Sequence, residues 1–249
     1  MVRAFGRDQP VEYKSADQPV TDADRAADRF LHDALRAPRP EYGWVAEESG
    51  MEPGKKGAPT WVVDPLDGTR NFVEGRPEFA VCIGLLTAGT PALGVVYNPV
   101  TDEVYSAVRG GPAKRNGDPI RAATSGPPVL AASWWELEQQ RLLDTFQDDW
   151  RIVRKGSTAL KMMMVAEGSA AAYVSRGPKA VWDVCGPRVI AEAAGALVVN
   201  AGGEPLTWRR WNQLIDGLIV VAPAVRNRLE EIVRRVGSEP MSGDQGGRR

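Results

Sequence analysis

One stretch of nine residues constrains this chain more than any other: Trp61-Val62-Val63-Asp64-Pro65-Leu66-Asp67-Gly68-Thr69, where an apolar strand runs into two acids three positions apart. Pro65 has no N–H for a sheet ladder, so the chain is predicted to turn there, leaving Asp64 at the strand's end and aiming Asp67 back toward it. The same turn frees the Leu66 carbonyl, and Gly68 and Thr69 offer backbone N–H groups. Hard oxygen donors for a cation and N–H donors for a phosphate would then share one loop. A bare Asp-Gly after a strand also reads as an ordinary tight turn. Two carboxylates with a carbonyl between them make a metal site the better explanation.

Two further places carry acids at the ends of apolar runs. Ala46-Glu47-Glu48-Ser49 sets two adjacent carboxylates where a solvated strand end is the plain alternative. Val181-Trp182-Asp183 sets one at the start of a helix, where an N-cap is the plain alternative. Each is ambiguous alone; together with the long motif they point to a carboxylate cluster. His32 is the single histidine and lies in a helical pattern, which weighs against a histidine base or a His-rich metal site. Cys82 and Cys185, both in apolar sequence, are expected as buried free thiols. Carboxylates must therefore carry any catalysis.

Thr21-Asp22-Ala23-Asp24 has the form of a capping box, and Ala23, Ala26, Ala27, Phe30, Leu31, Ala34 and Leu35 follow at helical spacing. Short apolar runs at 44–46, 61–63, 80–86 and 93–97, separated by Gly/Pro-rich turns, predict strands. Farther on, a helix over 158–167 closed by Gly168, a strand over 170–174, a helix from about Asp183 to Ala194 ended by Gly195, and a strand over 218–222 alternate. Pro223 then reads as the first residue of a last helix. The pattern predicts an α/β chain of mixed α+β character, a layered α-β-α-β-α sandwich. One catalytic domain over 1–236, with subdomains about 1–125 and 126–236, would precede a disordered Gly/Ser/Arg-rich tail over 237–249.

With 31 basic and 32 acidic residues evenly interspersed, no cationic stripe suits a nucleic-acid polymer. No apolar run approaches the ~20 residues of a spanning helix, and the N-terminus lacks a signal-peptide core, so a cytoplasmic protein without a membrane partner is expected. Neither a P-loop nor a dinucleotide-binding glycine motif occurs.

Glu47-Glu48-Ser49, then Asp64-Pro65-Leu66-Asp67-Gly68-Thr69, then Trp182-Asp183, in this order, resembles the inositol monophosphatase superfamily of Mg²⁺-dependent, lithium-sensitive phosphatases. Lys14, the 20–24 segment and Gly156-Ser157-Thr158-Ala159 match further elements of that pattern. The resemblance implies a phosphomonoesterase acting on a small phosphate ester. Glu47, Asp64 and the Leu66 carbonyl would bind one Mg²⁺ and Asp64, Asp67 and Asp183 a second, with a third ion beside Glu47 and Glu48 in some members. Thr69, oriented by Asp24, would hold the attacking water, and Glu47 would share in catalysis. Asp24 reads equally as the N3 member of the Thr21 capping box. Gly68, Thr69, Asp67 and Asp183 would contact the substrate, as would the Gly156, Ser157 and Thr158 turn, which reads equally as an ordinary helix start.

The chain departs from the family pattern in three ways. Only about a dozen residues precede Lys14, where members carry a first helix with an Ala-Gly motif; an exposed apolar patch or a homodimer would follow. Arg176 stands where inositol monophosphatases tend to carry an acid against the ring, and it would pair with a second phosphate on a larger substrate. The segment 71–81 resembles inositol monophosphatases, whereas 156–168 and Gly177-Pro178 resemble 3′-phosphoadenosine-5′-phosphate phosphatases. Inositol monophosphate is the leading substrate on this reading, a 3′(2′),5′-bisphosphate nucleotide the runner-up. A regulatory homologue without catalysis is the reading from another class, opposed by the complete set of carboxylates.

Overall fold

In a computed structural model, which describes residues 1, 4–6, 10–15, 18–208 and 214–237, the apolar runs assemble into two sheets with helices between and outside them. A hairpin of β1 (Val11–Ser15) and β2 (Gln18–Thr21) leads into α1 (Asp22–Leu35). The first sheet contains β3 (Gly43–Ala46), β4 (Gly50–Glu52), β5 (Thr60–Asp67), β6 (Ala80–Thr87), β7 (Thr90–Asn98), β8 (Glu103–Val108), β9 (Lys114–Arg115) and β10 (Asp118–Pro119). Its order is β10-β9-β8-β7-β6-β5-β3-β4, antiparallel except for β3 beside β5. The second contains β11 (Val129–Ala132), β12 (Arg151–Arg154), β13 (Ala172–Ser175), β14 (Leu197–Val199) and β15 (Leu218–Val221), ordered β12-β11-β13-β15-β14. Here β12, β11 and β13 run parallel, and β15 opposes both β13 and β14.

Besides α1, the helices are α2 (Thr69–Val73), α3 (Trp134–Glu138), α4 (Leu142–Phe146), α5 (Thr158–Ala166), α6 (Val181–Ala193) and α7 (Leu229–Gly237), the last preceded by a 3₁₀ segment at Pro223–Arg228. Helices α5 and α6 fill the space between the sheets: Met162, Val165, Val184 and Ile190 share one core with Cys82 and Val96 of the first sheet and Tyr173 and Val220 of the second. Leu137, Phe146 and Ile232 of α3, α4 and α7 cover the far face of the second sheet. Leu31 and Leu35 of α1 cover the far face of the first, beside Trp44 and Trp61. This is the α-β-α-β-α layering read from the sequence. Cys82 and Cys185 are buried free thiols, as expected, and the tail from 238 lies outside the described residues.

Helix α6 meets the first sheet backbone to backbone. A Cβ on Gly94 of β7 would stand 2.0 Å from the Gly186 carbonyl oxygen, and one on Gly186 would stand 2.4 Å from that of Ile83. Gly84 would likewise strike Cys185 Sγ at 2.5 Å. Three glycines thus let the helix sit directly on β6 and β7, which fixes where its first turn falls. On the other face of the same sheet, Phe30, 71% exposed, borders an apolar groove of about 630 Å³ shared with Val81, Ile83, Val95 and Val104.

Pro65 does not turn the chain. Strand β5 continues through it to Asp67, and the register against β6 slips by one residue between Asp64, opposite Cys82, and Asp67, opposite Ala80. This is a β-bulge. The other neighbour, β3, pairs with β5 only as far as Val63, so the missing N–H of Pro65 costs the ladder nothing there.

Candidate active site

The bulge sets the floor of a cleft of about 670 Å³, which is lined by Glu47, Asp64, Asp67, Thr69 and Asp183. Asp64 is 1% exposed, and its Oδ1 accepts the Leu66 N–H at 2.9 Å, pinning the bulge from inside. The Leu66 side chain is buried with Ala23, Phe72 and Phe79, and its carbonyl oxygen lies 3.1 Å from Thr69 Oγ1. Thr69 Oγ1 also lies 2.8 Å from Asp24 Oδ1. The other oxygen of Asp24, Oδ2, accepts the Thr21 N–H at 2.8 Å and the Thr21 hydroxyl at 2.6 Å. Asp24 thus closes the capping box of α1 with one oxygen and accepts the Thr69 hydroxyl with the other.

Asp183 is the third residue of α6, not its cap, because the helix begins two residues earlier than its last apolar pair suggested. Ala180 is the cap residue, and its N–H donates to Asp183 Oδ2 at 3.1 Å. Glu47 lies just past β3 and accepts Lys14 Nζ at 3.0 Å; the same ammonium reaches Glu48, whose side chain is 9% exposed and so is no solvated strand end.

Asp67 meets the start of α5. It accepts the Ser157 hydroxyl at 2.5 Å, the Thr158 N–H at 3.2 Å and the Ala159 N–H at 2.6 Å. Glu78 takes the Gly156 N–H at 2.7 Å. Ser157, a non-glycine residue at φ 62°, is held in that conformation by its hydroxyl, which also accepts the Leu160 N–H at 3.0 Å. The Gly156 and Thr158 N–H groups, expected from sequence to meet the substrate, are thus taken, with that of Ala159, by the protein's own carboxylates at the positive end of α5. Gly156, Ser157 and Thr158 still line the cleft.

Arg176 is a second correction. It is 8% exposed and donates to the carbonyls of Gln140, Val236 and Arg235 and to Thr145 Oγ1, tying α7 to the α3–α4 region away from the cleft. A buried guanidinium held by three backbone carbonyls and a hydroxyl is committed to the protein rather than to a second phosphate.

The electrostatics of the floor are those of a site short of positive charge. Burial first, then Glu47, Asp67 and Asp183, push the Asp64 carboxyl well above its usual range. Burial, Asp67 and Glu47 push Asp183 up to about 7. Burial holds Glu47 above its ordinary value although Lys14 pulls the other way. Among the described residues no three His, Cys, Asp or Glu side chains converge as a ready-made metal cluster, since each carboxylate is turned to a local donor. The donor set nonetheless fits a hard divalent cation: all oxygen, mutually repelling and lined along one cleft.

A cluster absent from the sequence reading lies beside this floor. Glu136 of α3, 1% exposed, accepts Lys161 Nζ at 2.6 Å, the Tyr173 hydroxyl at 2.9 Å and the Ser133 N–H at 2.8 Å. Lys179 Nζ stands 3.8 Å away. The signal was present as Ser133-x-x-Glu136, a capping box following the apolar run 129–132.

The pattern of the Inositol monophosphatase family matches residues 1–236. An inositol-1-monophosphatase of Rhizobium meliloti is 34% identical over 249 residues, 94% of this chain and 91% of its own. The 3′(2′),5′-bisphosphate nucleotidase CysQ of Escherichia coli is 37% identical over 202 residues, 78% of this chain and 81% of its own. The crystal structure of the extragenic suppressor protein suhB from Bartonella henselae superposes with a TM-score of 0.83 at 28% identity, covering 94% of this chain and 92% of that one. With its bulged strand, carboxylate floor and layered sheets, the chain belongs to the inositol monophosphatase family.

Proposed function

We propose that the chain is a Mg²⁺-dependent phosphomonoesterase, with Glu47, Asp64, Asp67, Asp183 and the Leu66 carbonyl as the ligands of two ions. Ions held there would neutralise phosphoryl oxygens and lower the pKa of water. The observation that carries the reading is the Thr69 hydroxyl, fixed between Asp24 and the Leu66 carbonyl at the edge of the buried acids. With its O–H donated in a hydrogen bond to Asp24, Thr69 Oγ1 keeps a lone pair to accept a hydrogen bond from a water, so the pair can orient a nucleophile. Burial and the neighbouring acids push the Asp64 carboxyl well above its usual range, which explains why a cation would be retained and argues against a purely regulatory chain.

The ester is small. An inositol monophosphate and a nucleoside 3′(2′),5′-bisphosphate both suit a cleft of about 670 Å³, and the relatives named for each are of similar identity. With Arg176 buried elsewhere, the choice falls to the outer wall of the cleft. The test is phosphate release from both esters with Mg²⁺, with and without lithium, alongside the Mg²⁺-induced rise in Tm. Turnover of at least one ester, lost on chelation, is expected. A rise in Tm without turnover of any ester would mean a metal-binding regulator instead.

A further inference from the structure

The cleft has two unlike ends. Opposite the carboxylate floor, its wall is built at the carboxyl ends of the parallel strands β11 and β12, whose register sets Ala132 beside Arg154. Trp134, Trp135, Arg154 and Lys155 all line it. The two indoles are 46% and 40% exposed, a large apolar surface to leave in water, and no step of phosphate hydrolysis uses them. Arg154 Cζ lies 3.6 Å from the centre of the Trp134 ring. Among the described residues, neither the Arg154 nor the Lys155 side chain has a carboxylate partner.

The wall is held in place from beneath. Glu136 closes the Ser133 capping box of α3 and is anchored by Lys161 and Tyr173, so the helix that carries both indoles cannot rock freely. Trp135 lies over Gly177, where a Cβ would come within 3.5 Å of its ring and 2.8 Å of Gln140 Nε2. Rigid indoles beside two cations lacking acid partners form a built surface with apolar and anionic complementarity in one place.

We propose that this wall is the subsite for the leaving part of the substrate, and that this part is a nucleoside carrying a second phosphate. The indoles stack on the base, while Arg154 and Lys155 take the phosphate that is not hydrolysed. A polyol monophosphate offers neither a flat π-face nor a second charge. This rests on the phosphomonoesterase reading for what happens at the floor: water adds to phosphorus, the ester P–O bond breaks, and the ester oxygen takes a proton. Inorganic phosphate leaves, and the product keeps the base and the second phosphate.

That product class supplies a probe that needs neither metal nor turnover. Metal-free protein titrated calorimetrically is expected to bind adenosine 5′-monophosphate on the order of tenfold or more tighter than ribose 5-phosphate or inositol 1-phosphate. Trp134→Ala should remove most of that margin, and Trp134→Phe should keep most of it. Arg154→Gln should weaken adenosine 5′-monophosphate and ribose 5-phosphate alike. Equal affinities of the wild type for the three ligands, a margin that survives Trp134→Ala, or a Phe variant as weak as the Ala variant would overturn the subsite. Failure of a Mg²⁺-supplemented turnover assay would count against the phosphomonoesterase reading and leave this binding result standing on its own.

Discussion

With no metal present and at alkaline pH, replacing Asp183 by Asn should make the protein more stable. The Asp183 carboxyl is pushed up to about 7 by burial first and then by Asp67 and Glu47, against 3.8 in the unfolded chain. A difference of about three pH units is worth ~4 kcal/mol, and partial exposure with salt screening cuts this to about 2 kcal/mol. The sign follows from proton counting. Between about pH 4 and pH 7 the folded protein keeps a proton that the unfolded chain has released, so stability falls as pH rises through that window, and the loss is complete above it. Asn keeps an oxygen for the Ala180 N–H, which now sits 3.1 Å from Asp183 Oδ2, and brings no charge. In chelator at pH 8, Asp183→Asn is expected to melt about 4–8 °C above the wild type, with the gain closing near pH 4. Added Mg²⁺ should reverse the order, because the wild type gains a ligand's binding energy that the variant cannot. Scanning calorimetry over that pH range decides it: a variant no more stable than the wild type at pH 8, or a gain independent of pH, refutes the charge-crowded floor.

Three further perturbations test other parts of the structure. Asp64→Asn should remove the Mg²⁺-dependent rise in Tm and lower kcat by on the order of 10²–10³-fold or more, while the metal-free fold survives; near wild-type turnover would remove Asp64 from the ligand set. Glu136→Gln should cost about 3 kcal/mol in urea unfolding at pH 7, because it strands the buried Lys161 ammonium. Burial would raise the Glu136 carboxyl, but Lys161 and then Lys179 override it and hold it at about 2, so its contribution is whole above about 4.5 and is lost as pH falls toward 2; an acid-unfolding curve unchanged in the variant would contradict this. Gly94→Ala should destabilise by about 1–3 kcal/mol by driving a methyl group into the Gly186 carbonyl, and it should weaken Mg²⁺ stabilisation by shifting α6; full retention of both would show that the helix can yield.

The layers were legible because their signals are local. The Thr21 capping box, the apolar period of α1 and the alternating runs at 80–86 and 93–97 each announce an element within a few residues. The acids of the floor were legible as residue types at strand and helix ends, and the structure brings Glu47, Asp64, Asp67 and Asp183 to one cleft with Asp24 and Thr69 beside them. What failed was whatever depends on a neighbour distant in sequence. Whether Pro65 turns the chain or bulges depends on where β3 stops, and Arg176 faces carbonyls of α7 contributed about sixty positions later. The N–H groups at the start of α5 looked free because Asp67, ninety residues earlier, gives no local hint that it will cap them. Segment 126–155 went unread for a different reason. Its helices α3 and α4 have five residues each, too short for a period to emerge, and adjacent tryptophans at 134 and 135 carry no phase.

The glycine contacts between α6 and the first sheet divide the molecule into parts with unequal freedom to drift. Where backbone rests on backbone there is no rotamer to absorb an error, so any enlargement at Gly84, Gly94 or Gly186 is transmitted to Asp183 as a displacement of the whole helix. The outer wall has no such lock at its surface: Trp134 opens α3, Arg154 ends β12 and Lys155 follows it. A lineage carrying this fold can therefore exchange the wall one side chain at a time, while the placement of Asp183 against the first sheet stays in its inherited setting.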